Sequence, residues 1–146
     1  MTGRCAPRAR AAPRVLRGGV PARRRPDERC LISQNCRGLK SASRLTELAA
    51  VLRARHAFAA CLQETWRTGR ERMTEGGYRF FGMGPDVQRG RGSQGVAIAL
   101  SPAAIAAWEA AGSHVFDGYG SRVIAVSLSV KDAVSRKQLD VLLVSA

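Results

Sequence analysis

The stretch CLISQNCRGLKSASRLTELAAVLRARHAFAACLQET, residues 30–65, decides the fold. Leu31-Ile32-Ser33-Gln34-Asn35, closed by Gly38, reads as a short strand followed by a turn. Ser43 then stands where an N-cap is needed. Behind it Leu45, Leu48, Ala49 and Leu52 recur at helical spacing, with Glu47 in the first turn and Arg53 and Arg55 in the last. Ala57 to Leu62 is a short apolar run ending in Gln63-Glu64-Thr65, which fits a buried strand whose tip reaches solvent. Strand, helix and strand within about 35 residues predict a βαβ unit.

Such a unit sets its two strands side by side and parallel, so Asn35 and Glu64 are expected together at their carboxyl ends, the edge where open α/β sheets bind ligands. One carboxylate and one carboxamide are hard oxygen donors. They suit Mg²⁺, which keeps several waters and takes only one or two protein carboxylates beside a phosphate.

Outward from this unit, Tyr78 to Gly82 reads as a strand. Met83 to Gln94 reads as a basic loop carrying Arg89-Gly90-Arg91-Gly92-Ser93, whose guanidiniums and free N–H groups suit phosphates. It is not a P-loop, because the Gly-Lys-Ser/Thr ending is missing. Gly95 to Ser101 alternates as a half-buried strand, and Pro102 to Gly112 is an alanine-rich helical piece in which Trp108 is expected to pack. Ser121 to Val130 is expected to pair with Gln138 to Ser145 across a polar turn, with Val123, Ile124, Val126, Leu139, Val141 and Leu143 in the core. His56 and His114 read as surface histidines. Ending at Ala146, the sheet is expected to lack its second layer and to expose apolar faces.

The chain has 146 residues, 45% of them hydrophobic, enough for one domain with a core. Lys and Arg number 24 against 11 acids, a net charge of +13, which points to a polyanionic partner. Nine of the arginines and only two acids lie in residues 1–29, a segment of Arg, Ala, Pro and Gly without hydrophobic period that reads as a disordered Arg/Pro-rich tail. Arg23-Arg24-Arg25 reads most simply as a solvated arginine run, with a nonspecific nucleic-acid contact or a nuclear address as the alternatives, and the nucleus is the favoured compartment. A mitochondrial leader is less expected, since the segment is neither amphipathic nor serine-rich. Cys5, Cys30, Cys36 and Cys61 form no CxxC pair and have no histidine at zinc spacing, so they read as small buried hydrophobes of a reduced compartment. No apolar run of about 20 residues exists to span a membrane.

Three ordered segments, Ser33-Gln34-Asn35-Cys36-Arg37-Gly38-Leu39, Leu62-Gln63-Glu64-Thr65 and Gly95-Val96-Ala97-Ile98, resemble the opening motifs of the endonuclease/exonuclease/phosphatase family, most of all the endonucleases of non-LTR retrotransposons and their domesticated relatives. The resemblance covers residues 30–146 and implies the first half of a deoxyribonuclease-like, four-layer α/β/β/α sandwich of the α/β (α+β) class. It implies that Asn35 and Glu64 bind the catalytic Mg²⁺ or Mn²⁺, with no other small-molecule cofactor. It also implies DNA as the substrate, with RNA a further possible partner and no role for a membrane. Arg37, Arg89 and Arg91 are the expected nucleic-acid contacts. Arg37 stands where related apurinic endonucleases often carry an acid near the metal.

The family's Tyr, Asp-x-Asn and Asp-His motifs do not occur in the chain. Residues 30–146 are therefore read as a truncated domain, the amino-terminal half of a Mg²⁺-dependent phosphodiester hydrolase, with little or no catalysis expected from this chain itself. A noncatalytic basic nucleic-acid-binding fragment and a phosphatase of the same family are the alternatives, and a decayed element copy is a third.

Overall fold

The computed structural model describes residues 29–87, 94–118, 122–132 and 134–146. Residues 1–28 of the Arg/Pro-rich segment and the loop arginines Arg89 and Arg91 lie outside the described residues. Arg29 belongs with the folded part, because its guanidinium donates to the Lys131 carbonyl at 3.2 Å and lies over the Phe58 ring.

The described residues form a mixed α+β structure of two sheets and two helices. In order these are β1 (Cys30–Asn35), α1 (Ala42–Ala54), β2 (Ala57–Gln63), β3 (Arg70–Glu75), β4 (Tyr78–Met83), β5 (Val96–Leu100), α2 (Pro102–Ala110), β6 (Val115–Asp117), β7 (Ile124–Lys131) and β8 (Gln138–Ser145). The first sheet runs β1-β2-β5-β4-β3 and the second β6-β7-β8. β1 and β2 are parallel, with Asn35 opposite Gln63, and α1 supplies the crossover between them. The βαβ expectation holds, and the remaining pairs are antiparallel.

Helix α1 starts two residues earlier than its sequence pattern suggests. Ser41 is the N-cap, its hydroxyl accepting from the Arg44 N–H, and Ser43 instead shares a hydroxyl contact with Ser41. The buried stripe is the expected one, Leu45, Leu48, Ala49 and Leu52. It packs on one face of the first sheet, against Leu62, Phe80, Ala97 and Ala99.

The opposite face, carrying Phe81, Ile98 and Leu100, meets Ile124, Val126, Leu128 and Leu143 of the second sheet together with Ala104 and Trp108 of α2. Trp108 packs as expected, its ring 5.0 Å from Phe81 and its indole N–H donating to the His114 carbonyl. The expectation of a single sheet without a second layer is therefore corrected, because the β7–β8 hairpin is itself part of that layer. The same sandwiching buries every residue of β5 on both faces, where alternation suggested a half-buried strand.

Two further readings change. Leu139 is 48% exposed, since β8 is an edge strand and Leu139 lies toward its open end, opposite Val130. On the outward face of the second sheet Phe116, Leu142 and Val144 are exposed, so the expected apolar exposure exists there. None of the described helices is long and apolar enough to cross a membrane.

Candidate metal centre

The parallel pairing of β1 and β2 delivers Asn35 and Glu64 to one edge. The Asn35 Nδ2 donates to Glu64 Oε1 at 2.8 Å, across 29 residues of sequence. This is the juxtaposition that the βαβ pattern demands. The two loops leaving the strands are laced together by backbone bonds. Cys36 N–H donates to the Gln63 carbonyl at 2.8 Å, Gly38 N–H to the Glu64 carbonyl at 2.7 Å and Leu39 N–H to the Thr65 carbonyl at 2.7 Å. The strand pairing thus continues past the sheet and fixes Glu64 relative to Asn35.

The lacing holds an uncommon backbone. Arg37 (φ 46°), Glu64 (φ 51°) and Trp66 (φ 58°) all adopt the left-handed region. Each costs about 1–3 kcal/mol relative to a relaxed conformation and persists only where surrounding bonds over-determine it. Gly38 is needed at φ 104°, where a Cβ would come within 2.5 Å of the Trp66 ring. Arg44 of α1 adds a side-chain clip, donating to the Arg37 carbonyl at 3.2 Å and the Cys36 carbonyl at 3.3 Å. Arg67 donates to the Leu39 carbonyl at 2.7 Å and pairs with Glu71.

Around the pair lies a cavity of about 350 Å³ lined by Asn35, Gln63, Glu64, Gln94, Gly95, Val96, Arg122 and Ala146. The end of the second sheet closes it. The Ser145 hydroxyl, 1% exposed, donates to the Leu62 carbonyl at 2.9 Å and accepts from Gln63 Nε2 at 3.5 Å, bringing the tip of β8 against the tip of β2. Next to Glu64, Thr65 Oγ1 and Trp66 Nε1 are buried with no hydrogen-bond partner among the described residues.

The donor set fits a small hard cation. Glu64 offers a carboxylate, one oxygen of which is held by Asn35, and Asn35 offers a carboxamide oxygen, which here accepts from the Arg37 N–H at 3.1 Å. Mg²⁺ is commonly held by one or two such oxygens with water filling the other positions. No group of three or more His, Cys, Asp or Glu suited to a metal occurs among the described residues.

Arg37 is exposed and adjoins Asn35 in the loop after β1. Arg122 was not singled out from sequence. It precedes β7, an element distant in the chain, and only the packing of the two sheets brings it to the cavity. Among the described residues, no cysteine lines the cavity. Burial pushes the Cys36 thiol up to about 11, the Arg44 charge opposing this, and burial also raises Cys61, so neither is an activated nucleophile.

No protein-family model matches the chain, and no curated protein matches it in sequence.

Proposed function

We propose that residues 30–146 carry the metal-holding front part of a Mg²⁺-dependent phosphodiester hydrolase that acts on DNA, with deoxyribonuclease-like α/β/β/α architecture and kinship to retrotransposon endonucleases. One observation carries the reading. An amide and a carboxylate, 2.8 Å apart, stand at the carboxyl ends of two parallel strands beside a cavity reached by Arg122. When bound there, Mg²⁺ or Mn²⁺ supplies Lewis-acid polarisation of a phosphoryl oxygen. Asn35 and Glu64 are the residues that would hold it. Arg37 and Arg122 supply guanidinium donors whose forked geometry matches a phosphate.

The chain contains no Asp-x-Asn and no Asp-His pair to activate water, so its own contribution is binding and orientation. A noncatalytic nucleic-acid-binding role is the second reading, favoured by the net charge of +13.

Fluorescence anisotropy with a labelled DNA duplex separates the two. The hydrolase reading expects affinity that rises with Mg²⁺ in the wild-type chain and loses that Mg²⁺ response in Glu64→Ala, with no nicking of supercoiled plasmid. Affinity that falls with salt but is indifferent to Mg²⁺ and to Glu64→Ala supports the noncatalytic reading and overturns the first.

A further inference from the structure

At the opposite end of the strands from Asn35 and Glu64 lies a groove of about 920 Å³. β1 and β2 are six and seven residues long, so about 20 Å of strand separates this groove from the metal pair. It does not belong to the candidate metal centre.

Its floor and one wall are apolar, built from Phe58 and the helix face Ala103, Ala106, Ala107 and Ala110, where small side chains leave room for another chain to approach. Its rim is cationic. Arg29, Arg53 and Lys131 line it beside His56, and among the described residues no Asp or Glu does. Asp140 of the neighbouring β8 faces Ser129, whose hydroxyl donates to it at 2.9 Å. The cations, Arg29, Arg53 and Lys131, come from three different elements, the start of β1, the end of α1 and the end of β7. Only the tertiary fold gathers them.

We propose that this groove is a docking site for a short acidic segment of a partner protein, with aliphatic side chains against the alanine face and carboxylates at the Arg53 and Lys131 rim. Charge complementarity selects this occupant. Residues 1–28, with eight arginines against two acids, do not have the composition of such a segment, and a second copy of a chain of net +13 is repelled from a cationic rim. A nucleic-acid backbone satisfies the rim but leaves the apolar floor without a partner, whereas an aliphatic acidic peptide matches both.

The test uses the full chain and a fluorescein-labelled synthetic peptide of alternating leucine and glutamate, read by anisotropy beside its leucine–glutamine analogue. The glutamate peptide is expected to bind saturably and the glutamine analogue about tenfold more weakly. Lys131→Glu and Arg53→Glu are each expected to weaken the glutamate peptide several-fold. Ala106→Trp, which fills the groove from an exposed helix position, is expected to weaken both peptides. Unchanged thermal midpoints establish that the variants remain folded. Absence of saturable binding, equal affinity for the two peptides, or binding indifferent to the three substitutions overturns the proposal. So does a larger effect of Lys131→Glu and Arg53→Glu on a labelled DNA duplex than on the peptide, which would assign the groove to nucleic acid.

Discussion

Gly38→Ala tests how the loop after β1 is built, because two separate costs add at one methyl group. The backbone there has φ 104°, and the added Cβ would sit 2.5 Å from Cε3 and 2.9 Å from Cζ3 of Trp66. Placing an L-residue in that conformation costs about 1–3 kcal/mol. Overpacking against a ring fixed in its own left-handed backbone costs about 1–3 kcal/mol more. The expected loss is therefore about 2–6 kcal/mol, or about 6–25 °C in thermal midpoint for a domain of this size.

Gly69→Ala is the matched control. Its φ is 65°, but nothing lies within 4 Å of the added Cβ, so only the backbone cost of about 1–2 kcal/mol applies. Circular dichroism melts of the two variants, with Trp66→Leu alone and combined with Gly38→Ala, complete a cycle in which relief of the clash appears as coupling. Equal losses for Gly38→Ala and Gly69→Ala, with no coupling to Trp66, would refute the account of this loop.

Other perturbations follow from the same packing. Tyr78→Phe removes the buried donor that reaches the Ala57 carbonyl at 2.7 Å and is expected to cost about 1–2 kcal/mol in urea melts. Cys36 and Tyr78 are both raised in the folded chain, chiefly by burial, so their stabilising contributions are complete below their ordinary values of 9.0 and 10.0 and are lost as pH rises through the folded values. Stability should hold flat up to about pH 9 and fall by about 2–3 kcal/mol toward pH 11 through Cys36, a fall that Cys36→Ala removes. Leu142→Lys, at a position 58% exposed, is expected to change stability by less than about 0.5 kcal/mol. Its neighbour Leu143, 7% exposed, should cost about 2–4 kcal/mol on substitution by Ala, and reversal of that order in denaturation would mean that the faces of β8 are wrongly assigned.

The part of the fold legible in the sequence is the part in which local pattern and tertiary burial agree. The heptad-like leucines of α1, the apolar run of β2 and the turn at Gly38 each mark one element, and parallel pairing then follows from connection length. β3 escaped notice because Arg70-Glu71-Arg72-Met73-Thr74-Glu75 is a sheet edge, alternately exposed and half-buried, and Met73 is its sole apolar residue. β6, three residues long, carries too little pattern to be read.

β5 misled in the opposite sense. An alternation of alanine with valine and isoleucine looks half-buried, yet the alanine face meets α1 and the larger side chains meet the second sheet. The candidate site divides in the same way. Asn35 and Glu64 are legible because they end two strands of one local unit. Arg122 and the backbone bonds that hold Glu64 at positive φ depend on long-range packing, and no sequence spacing announces them.

The most direct test of the central claim is paramagnetic broadening of backbone amide resonances by Mn²⁺, since it locates a cation without requiring turnover. Substoichiometric Mn²⁺ is expected to erase the Asn35, Glu64 and Gly95 resonances first, to be displaced by excess Mg²⁺, and to lose this selectivity in Glu64→Gln. Broadening centred on another part of the chain, or unchanged in Glu64→Gln, would contradict the assignment of Asn35 and Glu64 as the metal-holding pair.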